Sequence, residues 1–353
     1  MKGLVLAGGR GTRLRPITYS MAKQLVPVAN KPVIRFGLED MVAAGVTEIG
    51  IVISPDTGQE IEAVVGDMSD SIGFEPTFIL QHEPLGLAHA LKTALPFVDG
   101  DDCLMYLGDN LVKGGVADVT RDFTEHDPNC QIMLSEVRNP SAFGVADVAP
   151  DGSVRRLIEK PAVPPSNLAL VGVYLFDETI AEAVDSISPS ARGELEITDA
   201  IQYLIESGRT VRHSVVNGWW KDTGTKDDLL AAQHLVIAEM SRNVEGDIVD
   251  SELRGTIHLG KGSQVVDSEI VGPAVIGDDV QVIRSKIGPE TSIGDGCRIT
   301  DAAIENSIVM DRSTVFGWKL RSTILGRETR LHGLAPAGFT EMMLGEHSEI
   351  VGE

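Results

Sequence analysis

Leu6-Ala7-Gly8-Gly9-Arg10-Gly11-Thr12-Arg13-Leu14 follows a short apolar run at the start of the chain. Gly8, Gly9 and Gly11 let a backbone approach a ligand closely and aim several N–H groups at it, which suits a polyphosphate. No Gly-Lys-Ser/Thr closes the loop, so it is not a Walker A loop. Leu14 stands where a dinucleotide fingerprint needs its third glycine. Cations gather here instead. Arg13 and Arg15 lie within four residues of Gly11, and Ala22-Lys23-Gln24-Leu25-Val26-Pro27-Val28 adds a lysine before an apolar, proline-marked stretch. A turn that serves only the fold needs no such set of charges.

Acidic residues supply the complement. Leu107-Gly108-Asp109-Asn110 ends an apolar strand pattern, and a carboxylate at the carboxyl end of a central strand lies where α/β sheets bind ligands. Trp219-Trp220-Lys221-Asp222-Thr223-Gly224-Thr225 carries a second aspartate just before a helix pattern. Asp109 and Asp222 are two hard oxygen ligands of the kind Mg²⁺ accepts, with water and phosphate completing its octahedron. Taken alone, a Gly-Asp turn and a helix-capping aspartate would account for each.

A third group suits a sugar phosphate. Glu159-Lys160-Pro161 follows a strand pattern, and Ala191-Arg192-Gly193-Glu194-Leu195-Glu196-Ile197-Thr198-Asp199 opens a helix. Lys160 binds phosphate as a point charge and Arg192 as a fork. Glu159 and Glu194 can accept hydrogen bonds from the hydroxyls of such a ligand. Leu80-Gln81-His82-Glu83-Pro84-Leu85-Gly86-Leu87-Ala88 forms a further polar loop, in which His82, with His89 just beyond, is read as structural.

Leu-Ala-Gly-Gly-x-Gly-Thr-Arg-Leu, with Pro16 and Lys-Gln-Leu-x-Pro-Val shortly after, resembles the nucleotidylyltransferase family that activates hexose 1-phosphates. The closer likeness is to its glucose-1-phosphate thymidylyltransferases, over roughly residues 1–240. The resemblance implies an Mg²⁺-dependent enzyme that joins dTTP and glucose 1-phosphate into dTDP-glucose and releases pyrophosphate. It implies nucleotide contacts at Leu6, Ala7, Gly8, Gly9, Gly11, Thr12, Arg13, Gln24, Gln81, Pro84, Gly86 and Asp109, with Gln81 and the Gly86 backbone reading the base. It implies sugar-phosphate contacts at Asn110, Phe143, Gly144, Glu159, Lys160, Leu170, Arg192, Glu194 and Trp220. Arg13, Lys23 and Lys160 become the catalytic cations, and Asp109 with Asp222 the metal ligands. Two positions depart from the family: Leu85 replaces a common acidic residue, and Phe143 replaces a tyrosine whose hydroxyl lies near the sugar. Uridylyl, cytidylyl or guanylyl transfer, a non-catalytic sugar-nucleotide-sensing subunit, and a second, acyl-transferring activity are the alternatives.

Positioning these residues falls to two domains, expected at 1–242 and 243–353. The first alternates strand and helix patterns, a Rossmann-like α/β fold with a mixed, mainly parallel sheet. Strands are expected at Gly3–Ala7, Glu48–Ile53, Thr77–Leu80, Cys103–Leu107, Gln131–Val137, Gly144–Val148, Val154–Ile158, Leu170–Phe176 and Val211–Val215. Helices are expected at Val33–Ala44, about Gly86–Leu95, Glu178–Ser186, Ile197–Ser207 and Thr225–Met240. Beyond Asn243, aliphatic residues recur at Leu259, Val265, Val271, Ile276, Val282, Ile287, Ile293 and Ile299. Seventeen residues separate Leu259 from Ile276 and Ile276 from Ile293, so three short sides close one coil of a parallel β-helix. This part resembles the left-handed β-helix of hexapeptide-repeat proteins, and its presence resembles the long form of the family, found with deoxysugar pathways. His258, His332 and His347 sit near its ends as surface residues, so the coil reads as an assembly or regulatory module.

Composition sets outer bounds. The 353 residues are 42% hydrophobic and 23% charged, with a formal net charge of −22. So acidic a chain disfavours nucleic acid. From Met1 to Leu38, however, Lys2, Arg10, Arg13, Arg15, Lys23, Lys31 and Arg35 stand without one acidic residue, a segment able to focus field on a small anion. Cys103, Cys130 and Cys297 have no metal-ligand spacing and point to idle thiols in a reducing cytoplasm. No apolar run approaches the ~20 residues of a membrane helix. An open coil end and flank favour a homo-oligomer.

Overall fold

Lys2–Leu6 (β1) is apolar on both faces, and the computed structural model, which describes residues 1–333 and 338–352, buries it at the middle of a sheet. β1 pairs in parallel with Glu48–Ile53 (β2) and Cys103–Leu107 (β4), and β2 pairs in parallel with Glu75–Leu80 (β3). Burial on both faces is why β1, β2 and β4 read as continuous aliphatic runs rather than alternating ones. Leu168–Phe176 (β9) runs antiparallel beside β4 and also pairs with Cys130–Glu136 (β6) and Gly144–Val148 (β7). Val154–Glu159 (β8) extends the sheet antiparallel to β7, and Val211–Val215 (β10) lies parallel to β6. The mixed, mainly parallel α/β sheet is as expected, and strands 48–53, 103–107, 144–148 and 211–215 have the expected ends.

Val33–Ala43 (α1), Gly58–Ile72 (α2), Leu87–Val98 (α3), Ala117–His126 (α4), Ile180–Ser186 (α5) and Ile197–Glu206 (α6) accompany the sheet. α2 and α4 lie outside the sequence expectation: α2 carries a glycine, Gly66, in its interior, and α4 is mostly polar or charged. One apolar cluster joins Leu4, Leu6 and Met105 of the sheet to Ala88 and Leu91 of α3, Ile180 and Val184 of α5, and Ile201 and Leu204 of α6. Cys103, Cys130 and Cys297 are all buried and unpaired. Burial pushes the Cys103 and Cys297 thiols up to about 12, which leaves them inert, as expected of idle thiols. No described helix is long and apolar enough to cross a membrane.

Packing divides the chain into two compact units: Met1–Gly9 with Ile34–Lys221, and Arg10–Val33 with Asp222–Glu353. The division passes through the glycine run, between Gly9 and Arg10. Inside the second unit, three-stranded coils stack in parallel as a left-handed β-helix. Leu259, Ile276, Ile293, Val309, Leu325 and Leu344 fall in one register, and Val265, Val282, Ile299, Val315, Leu331 and Ile350 in another. On the third side the stacked residue is Ile270, fully buried with Ile287 and Ile304, and not Val271. That side follows a five-residue step, turned at Asp267, whose φ of 48° lies in the left-handed region. A six-residue count therefore overshoots by one.

The same unit carries the cationic arm and a last helix, Lys226–Glu239 (α7). Gln233 of α7, fully buried, donates to the carbonyls of Glu290 and Ser307 at 3.0 Å each and accepts from Ser292 Oγ at 2.6 Å. Lys226 Nζ reaches the Ser322 carbonyl at 2.8 Å. From the arm, Asn30 Nδ2 donates to the Ile293 carbonyl at 2.6 Å. Ala29, Ile237 and Val275 close an apolar contact among arm, helix and coil. The β-helix is thus the platform on which Arg10–Val33 and α7 are built.

Candidate active site

At the end of β1 the chain must stop being a strand yet stay close to its neighbours. Ala7 N donates to Val52 O at 2.8 Å, and Gly108 N donates to Leu6 O at 3.0 Å. A Cβ added to Gly8 would sit 3.3 Å from Gln81 Oε1, so Leu6, Ala7, Gly8, Asp109 and Gln81 come together at the carboxyl ends of β1, β3 and β4. Gln81 is nearly buried, and its Nε2 meets His89 Nδ1 at 2.9 Å and donates to Gly86 O at 3.4 Å.

Gly86 has φ 106°, and a Cβ there would lie 2.5 Å from Leu195 O. Only glycine fits. Leu195 N donates to Leu85 O at 2.7 Å, and Ala88 N donates to Leu195 O at 3.1 Å. The Gln81–Gly86 loop is therefore laced to the residue next to Glu194. Glu83, Pro84 and Leu85 stand exposed on this loop.

Asp109 is half-buried just past β4, and Asn110 opens Asn110–Val112 (β5). Asn110, 2% exposed, donates from Nδ2 to Asp109 Oδ1 at 2.9 Å. Its Oδ1 accepts from Trp220 Nε1 at 2.6 Å and from Gly172 N at 3.3 Å. Lys113 N donates to Trp219 O at 3.0 Å, which draws the Trp219-Trp220 segment beside β5. Phe143 meets the Trp220 ring edge-on, centroids 5.1 Å apart. Asn110 and Trp220 are thus engaged with each other, holding Asp109 in orientation.

The remaining residues form one charged cluster. Arg192 donates to Glu159 Oε1 at 3.2 Å and Glu194 Oε2 at 2.9 Å, and lies 3.4 Å from Glu196 Oε1. Lys160 Nζ is 3.6 Å from the same Glu159 oxygen. Lys160 itself has φ 40°, a left-handed conformation that an L-residue keeps only when its surroundings impose it; here its N–H donates to Phe143 O at 3.0 Å. A Cβ on Gly144 would meet Thr198 Cγ2 at 2.7 Å, Glu159 Oε2 at 3.2 Å and Leu170 Cδ1 at 3.3 Å. Phe143, Gly144, Glu159, Lys160, Leu170, Arg192 and Glu194 are therefore neighbours.

Sequence reasoning overlooked three residues of this cluster. Glu196 is 5% exposed, and burial raises its carboxyl above the ordinary value, the Ser190 hydroxyl at 2.8 Å acting against that rise. Burial and then the Glu159 charge raise Asp199. Thr198 Oγ1 donates to Glu159 Oε2 at 3.3 Å. All three stand inside Gly193–Asp199, so the signal was the motif itself, whose later residues read as helix.

In the second unit, Gly11 has φ 60°, and a Cβ there would press on Lys23 Cβ and Thr18 Cγ2 at 2.9 Å. Thr18 Oγ1 donates to Gly11 O at 2.7 Å. The arm is a chain of 3₁₀ turns, Thr12–Leu14, Ile17–Tyr19 and Lys23–Leu25, which brings Gly11 and Lys23 together and leaves Thr12 and Arg13 exposed. Gln24 is 1% exposed. A Cβ on Gly224 would lie 2.5 Å from Arg13 Nη2 and 3.0 Å from Asp222 Oδ1, so Arg13 and Asp222 converge on that glycine.

Comparison with known proteins identifies the family. Residues 2–239 match the family model described as nucleotidyl transferase. A glucose-1-phosphate thymidylyltransferase of Streptomyces griseus is 47% identical over 99% of this chain and 98% of its own. A low-salt glycan biosynthesis nucleotidyltransferase of Haloferax volcanii is 50% identical over 74% of each chain. A Bacillus anthracis protein provisionally named glucose-1-phosphate thymidylyltransferase, crystallised with sucrose, superposes with a TM-score of 0.64 at 32% identity, covering 69% of this chain and 97% of its own. The chain belongs to the nucleotidyl transferase family.

Proposed function

We propose that this protein forms dTDP-glucose and pyrophosphate from dTTP and glucose 1-phosphate. The observation that carries this reading is the near full-length likeness to the Streptomyces griseus thymidylyltransferase, which spans the β-helix as well as the catalytic part. We assign residues 1–242 to catalysis and 243–353 to the β-helix, and propose a cytoplasmic homo-oligomer.

An oxygen of the sugar phosphate attacks the α-phosphorus in line, and pyrophosphate leaves. The nucleophile is already anionic, so no general base is required, and catalysis reduces to positioning and charge neutralisation. Lys160 and Arg192, gathered on Glu159, hold the sugar phosphate, and Glu159 and Glu194 accept from its hydroxyls. The glycine turn donates backbone N–H groups to the triphosphate. Arg13 neutralises the departing pyrophosphate, and Lys23 neutralises charge between the two reacting phosphates.

Asp109 and Asp222 suit Mg²⁺. Two hard carboxylate donors would leave positions to phosphate and water, as this ion prefers. Bound there, Mg²⁺ would supply further positive charge to the triphosphate oxygens. Asn110 fixes the Asp109 carboxylate for that task.

A uridylyltransferase is the second reading, favoured by a UTP–glucose-1-phosphate uridylyltransferase of Haloferax volcanii that is 36% identical over its whole length. Pyrophosphate release from dTTP, UTP, CTP, GTP and ATP with glucose 1-phosphate decides between them. The highest kcat/KM belongs to dTTP on this account; a higher value for UTP overturns it.

A further inference from the structure

We propose that His89 is a specificity-positioning residue, fixing the Gln81 amide so that its oxygen, and not its NH₂ group, is presented to the nucleobase. The inference rests on the reading of Gln81 as a base contact and adds what decides which bases that contact accepts.

A glutamine amide has a donor end and an acceptor end of nearly equal shape, so a base-reading glutamine that rotates freely discriminates poorly. Gln81 is not free. The Gly86 carbonyl, 3.4 Å from Nε2, can only accept, so the nitrogen end of the amide faces it. The second hydrogen on Nε2 then points at His89 Nδ1, 2.9 Å away, which must be the lone-pair nitrogen of the ring, with the ring hydrogen on Nε2. Both amide hydrogens are committed. Oε1 remains, and it faces the turn at Gly8. An acceptor there pairs with a base carrying a ring N–H, such as N3–H of thymine or uracil. It opposes the N3 lone pair of cytosine.

The partner is rigidly mounted. His89 is the third residue of α3, flanked by buried Ala88 and Ala90, and the helix start is held by the bond from Ala88 N to Leu195 O. A site that holds its hydrogen-bonding groups in one orientation rejects a ligand with the wrong pattern far better than an apolar pocket does. His89 acts here through its contact with Gln81 Nε2.

The test is the ratio of kcat/KM for dTTP to that for dCTP, with glucose 1-phosphate in excess. His89→Leu frees the amide, and the ratio falls by roughly tenfold or more, the scale of one misplaced hydrogen bond. His89→Asn places Oδ1 where Nδ1 stood and keeps the ratio within about threefold of the parent, a rescue that a merely structural role for the ring would not give. Should His89→Leu fail to fold by thermal unfolding, His89→Lys, a pure donor, must lower the ratio in its place. Gln81→Leu separates the two ideas. If it leaves the ratio intact, Gln81 does not read the base and the underlying reading falls with the inference. If it collapses the ratio while folded His89→Leu or His89→Lys preserves it, the assignment of His89 alone is overturned.

Discussion

Trp220 Nε1 donates to Asn110 Oδ1 at 2.6 Å, and Asn110 Nδ2 donates to Asp109 Oδ1 at 2.9 Å. One bond thus ties the neighbour of the first candidate metal ligand to the residue two places before the second, Asp222. Trp220→Phe keeps the ring edge against Phe143 but leaves the buried Asn110 oxygen with only the longer bond from Gly172 N. We expect a loss of about 1–2 kcal/mol of stability in urea unfolding, the scale of a buried acceptor deprived of its main donor. Turnover should fall as well, because Asp109 loses its fixed orientation. Unchanged stability and turnover would dissociate this bond from the site.

Gly144 of β7 lies against Thr198 of α6. Gly144→Ala drives a Cβ to 2.7 Å from Thr198 Cγ2, at an expected cost of about 1–3 kcal/mol and with a raised KM for glucose 1-phosphate. The double variant Gly144→Ala with Thr198→Ser removes that methyl while keeping the hydroxyl that donates to Glu159. It should recover most of both losses. A double variant as impaired as the single would show that the clash lies elsewhere.

Gln233 satisfies three polar groups of the β-helix from a fully buried position. Gln233→Leu strands the Glu290 carbonyl and the Ser292 hydroxyl, each at about 1–3 kcal/mol before relaxation, and leaves the Ser307 carbonyl its backbone bond from Ser292 N at 3.0 Å. We expect a marked drop in the thermal midpoint, and faster hydrogen exchange in α7. Wild-type exchange throughout α7 would contradict the role of the coil as its platform.

Glu196 gives a pH signature. Its folded carboxyl sits above the ordinary value of 4.5, chiefly through burial, so the folded protein holds this proton to higher pH than the unfolded chain. Stability contributed by this group is therefore highest in acid and declines as pH rises from about 4.5 through the raised folded value. Glu196→Gln should flatten that decline, and the gap between variant and parent in denaturant midpoint should shift toward the variant with rising pH. A gap constant from pH 4 to 8 would contradict the burial argument.

Much of this was legible in sequence, for reasons specific to each element. Cys103–Leu107 and Glu48–Ile53 are buried on both faces, so their apolar runs end where the strands end. The coil register 259–276–293 is a strict repeat, because each stacked aliphatic must fall on the one below. The same reading placed Val271 where Ile270 stacks, since aliphatic residues adjoin and nothing in composition says which side turns in five. Coil length also drops to sixteen residues from Ile293 to Val309, a change visible only in the register. α4 escaped because its buried Val119, Thr120 and Phe123 are embedded in charge. The charged cluster was largely legible because Glu159, Lys160, Arg192 and Glu194 lie in compact motifs. The bonds of Gln233 to Ser292 and Asn30 to Ile293 were not, because they join residues 59 and 263 positions apart through single side-chain atoms.

We propose that Arg13 and Asp109 each act on the triphosphate. Pyrophosphate release from dTTP and glucose 1-phosphate by Arg13→Ala and Asp109→Ala, each shown folded by its unfolding transition, tests it most directly. Loss of one preorganised charge should lower turnover by about 10²–10³ in each variant. Near-wild-type release from either folded variant would contradict the account.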